Sequence, residues 1–325
     1  MKPPIGFIAA GILALAAGAA GAKDTGYVFV SSENDNAVTV LDSKNWQVVK
    51  TIATGKRPRD MRLSPDRSQL YVIASKANRI DVIDIGQLKV AHSIPVGEDP
   101  EMFDLSPDGK RLYVSNEEGA QVTVIDVATK KPVARIEVGE EPEGVRLSRD
   151  GKRVYATSEV ANMVHVIDAA TNRILANVVV ANRPRRFAMT PDGAEVWVTS
   201  ELGGKVTVLD GATNAIKATI GFTPKGFRPD DVTPVGIAMS ADGKTVYVTL
   251  GRANHIAVVD VASRKVQDYV LVGNRAWGAT LNRDGSLLFV ANGLSDDISI
   301  VDTKTRKVLR SVPVGRVPHT VVIDD

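Results

Sequence analysis

A 42-residue period constrains this chain more than any other feature. An aromatic residue opening a short apolar strand recurs at Phe29, Tyr71, Tyr113, Tyr155, Trp197, Tyr247 and Phe289. The steps are 42, 42, 42, 42, 50 and 42 residues. A second marker, an Asp closing an apolar strand, keeps phase with it at Asp42, Asp84, Asp126, Asp168, Asp210, Asp260 and Asp302. Two markers in phase seven times define a repeat array. A repeat of this length built from short strands alone matches one four-stranded propeller blade.

The third repeat shows the unit. Residues 143–148 form a strand, residues 149–152 a tight turn and residues 153–157 a second strand. Residues 164–168 form a third, residues 169–172 turn again, and residues 173–180 form the fourth. Val, Ile and Tyr are enriched, with period-2 alternation in several strands. The first turn recurs as Asp108-Gly109, Asp150-Gly151, Asp192-Gly193, Asp242-Gly243 and Asp284-Gly285. Asp66-Arg67 departs from it, so Arg67 must take a backbone geometry that favours glycine, or the turn type differs.

These segments resemble the YVTN family of β-propeller repeats. The resemblance is carried by Leu112-Tyr113-Val114-Ser115-Asn116, Val246-Tyr247-Val248-Thr249, Val122-Thr123-Val124-Ile125-Asp126, Pro95-Val96-Gly97 and Ser106-Pro107-Asp108-Gly109-Lys110. It covers about residues 27–323 and speaks to fold far more than to function. The expected architecture is all-β, a seven-bladed propeller of four-stranded blades. The chain starts at Tyr27 on what the resemblance implies is a second strand, and residues 317–323 match an innermost one. A mixed blade from the two termini is therefore expected to close the ring and remove open sheet edges.

Composition narrows the function classes. A formal net charge of +2 in 325 residues, without a run of five like charges, argues against nucleic acid. With no cysteine there are no disulfides, thiolate metal sites or Cys-x-x-Cys-His haem attachment. Met1-Lys2, an uncharged apolar stretch to Ala19 and the Ala20-Gly21-Ala22 triplet read as a secretory signal over residues 1–22. A single propeller domain over 23–325, periplasmic and without membrane insertion after cleavage, is the expectation. Walker, nucleophile-elbow, Gly-x-Gly-x-x-Gly and His-Glu-x-x-His motifs are absent, so no catalytic residue is assigned.

Loops at one end of the blades vary, and loops on a rigid scaffold usually carry function. The residue after the Pro that opens each inner strand is, in ring order, Arg59, Glu101, Glu143, Arg185, Val235, Trp277 and His319. This places two acidic blades between two basic ones, with an apolar and aromatic sector opposite. Glu33, Glu117, Glu159 and Glu201 recur after the second strands at the same end. The candidate binding residues are Arg59, Glu101, Glu143, Arg185, its neighbour Arg186, Trp277 and His319. Phe222 and Phe227 join them from the eight-residue insertion of the fifth repeat; they either tuck onto their blade or meet a partner. His92, His165 and His255 read as packing or edge residues. Neither His319 with carboxylates nor Asp230 with Asp231 makes a persuasive metal set, and no metal or cofactor is assigned.

Seven repeats behind a signal peptide also resemble the PQQ-dependent catabolism-associated β-propeller proteins. That resemblance implies a non-catalytic periplasmic binding or scaffold propeller beside a quinoprotein alcohol-oxidation system. Its partners would be a quinoprotein dehydrogenase, a cytochrome c or a transporter component; it does not imply that the chain binds PQQ. Two alternatives stay open. One is a lactonase-like hydrolase in which Glu101 and Glu143 activate water while Arg185 or His319 holds the substrate. The other is a heavy-chain-like subunit of a quinoprotein dehydrogenase.

Overall fold

A computed structural model describes residues 24–325; the expected signal segment and cleavage site lie outside the described residues. Seven four-stranded antiparallel sheets form a ring, joined by turns and two single-turn 3-10 helices. No helix among the described residues is long and apolar enough to cross a membrane. Blade 1 runs inside to outside as Pro58–Leu63, Gln69–Ala74, Arg79–Asp84 and Lys89–Pro95. Blades 2, 3, 4, 5 and 6 follow, with inner strands Pro100–Leu105, Pro142–Leu147, Pro184–Met189, Ile237–Met239 and Ala276–Leu281. Blade 7 takes its inner strand, Pro318–Asp324, from the C-terminus and its other three from the N-terminus. Tyr27 pairs with Asp324, Val28 with Ile323 and Phe29 with Val322, so the first and last strands among the described residues share one sheet.

Each sequence marker has a physical reason. The periodic aromatics are buried at blade junctions: Phe29 packs with Met61, Leu70 and Val72 of blade 1, and Tyr71 with Phe103 and Val114 of blade 2. The periodic Asp residues each accept a hydrogen bond from a backbone N–H two or three residues on, at 2.6–2.8 Å in all seven blades. That bond satisfies the donors of the turn between the third and fourth strands. Arg67 sits at φ 61°, where other blades have Gly. Its guanidinium reaches Asp324 of the closing strand at 2.9 Å, so the departure from Asp-Gly ties blade 1 to blade 7.

A hydroxyl ladder stitches the blades together. Ser31, Ser115, Thr157, Thr199 and Thr249 on second strands each donate to a carbonyl of the next blade on or just before its inner strand, from Arg59, Glu143, Arg185, Val235 and Trp277 respectively. Thr199 also accepts the Arg186 N–H at 3.0 Å. Replacing Thr199 with Val keeps the shape and orphans both groups. The expected cost is about 1–3 kcal/mol, read as a lower denaturant midpoint at unchanged m-value.

The fifth-repeat insertion folds inward. Phe222 is buried with Val232 in the core shared by blades 4 and 5, and Phe227 packs edge-on against His255, ring centroids 5.3 Å apart. Of the two choices open to these phenyls, the structure takes the blade. They therefore lie away from the channel mouth, as a packing device for a blade whose inner strand is only three residues long.

Candidate functional site

The rim of the channel is built by one local motif. In six blades the residue just before the inner strand adopts a left-handed conformation: Arg57, Asp99, Glu141, Arg183, Arg275 and Val317, with φ from 37° to 59°. Its carbonyl accepts the N–H of the residue that follows the second strand, namely Ser75, Glu117, Glu159, Glu201, Gly293 and Glu33, at 2.8–3.1 Å. The N–H of five of these residues is held by a side chain of the preceding blade: Asn36, Asn78, Asn162, Asn254 or Asp296. So the rim residue and the recurrent Glu of one blade are fixed as a pair. These asparagines and Asp296 also keep the 42-residue spacing, and that spacing is the signal by which the clamp is recognisable in sequence.

Below the rim, the residues after the Pro point into the channel and pair across it. Arg59 bridges Glu101 and Glu143, the latter at 3.4 Å. Arg185 contacts Glu143 at 2.9 Å, Glu159, and Glu201 at 3.5 Å. Arg57 joins Glu33 to Glu101, at 3.0 and 3.3 Å, while Arg183 joins Glu159 to Glu201, at 2.6 and 3.4 Å. Arg185 and Arg275 stack over the Trp277 ring, 5.3 and 4.8 Å from its centroid. Such desolvated cation–π contacts contribute on the order of 0.5–2 kcal/mol each.

This pairing revises the roles expected of several residues. Arg59, Glu101, Glu143 and Arg185 are each at least 96% buried, so they form a plug across the channel. Burial works against ionising Glu143, but Arg185, Arg59 and Arg186 outweigh it and hold its carboxyl down at about 2. A carboxylate that acidic is a weak general base. Glu101 is held between the Arg57 and Arg59 guanidiniums. Burial pushes Glu159 up to about 7, against the pull of Arg185. His319 is buried under the plug, where Arg59 and Arg186 both donate to its Nε2, at 3.3 and 3.0 Å. The imidazole proton is therefore on Nδ1, 2.9 Å from the Thr320 hydroxyl. Burial, with Arg186 and Arg59, keeps this ring neutral. His319 positions two arginines and has no ring nitrogen left for a substrate.

What opens to solvent above the plug is a pocket of about 360 Å³. One wall carries Arg183, Arg252 and Arg275, and the Trp277 indole forms part of the lining. Its buried N–H has no acceptor. The other side, from blades 7, 1 and 2, carries Glu33, Glu101 and Glu117 together with Arg57 and Arg59. Glu117 is half-buried and forms no ion pair among the described residues. Burial first, then the charges of Glu143 and Asp99, raise its pKa above the usual carboxylate range. Arg252 is exposed at the edge and likewise forms no ion pair among the described residues. Asp99, Glu101 and Glu117 bring one oxygen each within 4.8 Å of one another. Lys76 already answers Asp99 and Arg57 answers Glu101, which leaves Glu117 as the member not held by a cation. The expected candidates thus separate: Arg59, Glu101, Glu143, Arg185 and Trp277 border the mouth, whereas Arg186 and His319 lie beneath the plug and Phe222 and Phe227 lie away from it.

Ring, closing strand and polar mouth define a seven-bladed β-propeller. Residues 66–147 match the family described as YNCE-like beta-propeller. Residues 176–323 match the family described as Lactonase, 7-bladed beta-propeller. No curated protein matches the chain significantly. Among solved structures, hydrazine synthase of Kuenenia stuttgartiensis is similar at 24% identity and TM-score 0.78, over 86% of this chain and 93% of that one. The periplasmic gluconolactonase PpgL of Pseudomonas aeruginosa is similar at 22% identity and TM-score 0.77, over 92% and 99%. Dihydro-heme d1 dehydrogenase NirN is similar at 14% identity and TM-score 0.70, over 93% and 76%. At these identities the likeness to the solved structures is one of fold.

Proposed function

We propose that the mouth binds a small hydroxylated acid derivative and hydrolyses its lactone. One observation carries this reading: Glu117, a carboxylate with raised pKa and no cation of its own, faces an arginine wall across a pocket of small-molecule size. Glu117 takes a proton from water as the hydroxide equivalent bonds to the lactone carbonyl carbon. Arg252 and Arg275 stabilise the oxyanion. The ring C–O bond then breaks, and the leaving alkoxide recovers the proton from Glu117. The product is a hydroxy acid whose new carboxylate faces the same arginines. Similarity of residues 176–323 to the lactonase family supports the reading.

The test is proton release from glucono-δ-lactone and related aldonolactones at high enzyme concentration. Glu117→Gln is expected to lower kcat by about 10²–10⁴-fold with the fold intact. Arg252→Ala, which removes one of the two oxyanion partners, is expected to lower kcat by about 10²-fold. A rate unchanged in Glu117→Gln, or no turnover of any aldonolactone, overturns the proposal.

A second reading has its own observation. Val160, Leu202 and Leu294 are exposed on the loops around the mouth, and the two leucines border the pocket. Apolar residues rimming a charged pocket suit a docking surface. On this reading the chain is a periplasmic scaffold for a quinoprotein dehydrogenase, cytochrome c or transporter component. Leu202→Glu with Leu294→Glu would abolish capture of such a partner from periplasm without unfolding the ring; capture unchanged in the folded variant would sink this reading.

A further inference from the structure

The plug divides the channel, and beneath it lies a second chamber of about 310 Å³ that the mouth does not use. Its shape comes from one position of the inner strands. Where Asp60, Met102, Arg186 and Thr320 stand in four blades, the other three have Gly144, Gly236 and Gly278. A Cβ at Gly278 would lie 2.4 Å from the His319 carbonyl oxygen and 3.5 Å from Arg186 Nη1. A side chain at Gly278 would therefore crowd the space into which Arg186 extends.

Arg186 is 91% buried and pairs with no carboxylate. One nitrogen donates to His319, and its Nε–H has no acceptor. Asp60 and Glu143 act on it only from beyond ion-pair distance, and a buried guanidinium so incompletely compensated is costly. Arg62, Arg146 and Arg149 line the same chamber. Asp60 and Asp104 answer them: Arg62 lies 3.2 Å from Asp60 and 3.5 Å from Asp104, and Arg146 lies 3.7 Å from Asp104. Four guanidiniums thus meet two carboxylates. Arg149 is exposed and the Arg146 side chain is 42% exposed, so the chamber opens at the end of the ring opposite the mouth. Burial, with Arg185 and Arg59 close by, draws the Arg186 pKa down to about 10 against the pull of Asp60 and Glu143.

We propose that this chamber is a second ligand site, specific for a small oxyanion, with Arg186 as its buried anchor and Arg62 and Arg146 as its walls. Guanidinium forks suit phosphate and carboxylate alike. The proposal is independent of lactone hydrolysis, because no residue of it borders the mouth pocket.

Titration calorimetry at low ionic strength, with inorganic phosphate and with acetate as separate probes, tests it. The protein used carries Arg252→Ala and Arg275→Ala, which remove the two mouth arginines proposed to hold the oxyanion. One-site binding of at least one probe is expected, and the better probe identifies a tetrahedral or a planar anion. Arg186→Met should weaken that binding on the order of 10- to 100-fold. Arg146→Gln, which leaves the plug untouched, should weaken it less and decides the matter if Arg186→Met fails to fold. No binding of either probe, or binding unchanged in the folded variants, overturns the proposal.

Discussion

Deletion of residues 317–325 is expected to abolish cooperative folding. The segment supplies the whole inner strand of blade 7, and Val321 and Ile323 are buried against Val28, Val30, Phe289 and Ile298. Each such side chain contributes about 1.5–3 kcal/mol by burial. Asp324 adds three hydrogen bonds to Thr25 and Arg67, at 2.7–2.9 Å, which fasten the N-terminus and the neighbouring blade. The combined loss approaches the 5–15 kcal/mol that a domain typically has. It also bares the edge of Tyr27–Ser32, a ready template for pairing with another chain. Circular dichroism melts and size-exclusion chromatography should show a broad transition and higher oligomers. A monomer with a sharp melt would refute closure of the ring by this strand.

Arg185→Met is expected to cost about 3–5 kcal/mol, because one guanidinium serves three buried carboxylates, Glu143, Glu159 and Glu201. In a chain of this size that corresponds to a drop in Tm on the order of 10 °C. The pH dependence is specific. Glu143 is depressed to about 2 from 4.5, so its stabilising contribution is complete above pH 4.5 and fades as pH falls toward 2. Glu159 runs the other way. Raised to about 7, it favours the folded state most below pH 4.5, and that contribution is lost as pH rises through 7. Without Arg185 both groups lose a nearby positive charge, and their ionised forms become harder to bury. The deficit of the variant should therefore be greater at pH 8 than at pH 5. Equal deficits at the two values would show that these carboxylates do not titrate with the fold.

Much of this architecture is legible in the sequence, and the reasons are local. The periodic aromatics fill blade junctions and the periodic Asp residues close turns, so both recur wherever the blade recurs. The closing strand is legible because the repeat starts out of phase. Depth in the channel is not. The inner strands shift register between their first and fourth residues, as between Pro142 and Val145. Such an irregularity breaks strict alternation, so consecutive residues such as Arg185 and Arg186 both face the channel. Charges that read in sequence as an open, asymmetric mouth are consequently a buried plug with a chamber on either side. Glu117 stands in a row of four glutamates in the sequence; only the packing shows that its three counterparts lie beside arginines and that it does not.

The asparagine clamps have a mechanical consequence. At two junctions the clamping position is occupied by Ala120 and Gly204, neither of which has a side chain able to hold the next rim residue. Blades 3 and 4 are joined to each other through Asn162 and Arg183, while blades 5, 6, 7, 1 and 2 form a continuous run. The rim is thus two arcs meeting at two seams rather than one hoop. The shorter arc carries Glu159, Arg183 and Glu201, and the longer one carries Glu117, Arg252 and Arg275. Glu117 and the two arginines proposed to hold the oxyanion therefore ride on a single clamped arc of the rim, while the two seams are bridged only deeper in the blades, by the Ser115 and Thr199 hydroxyls and by ion pairs across the channel.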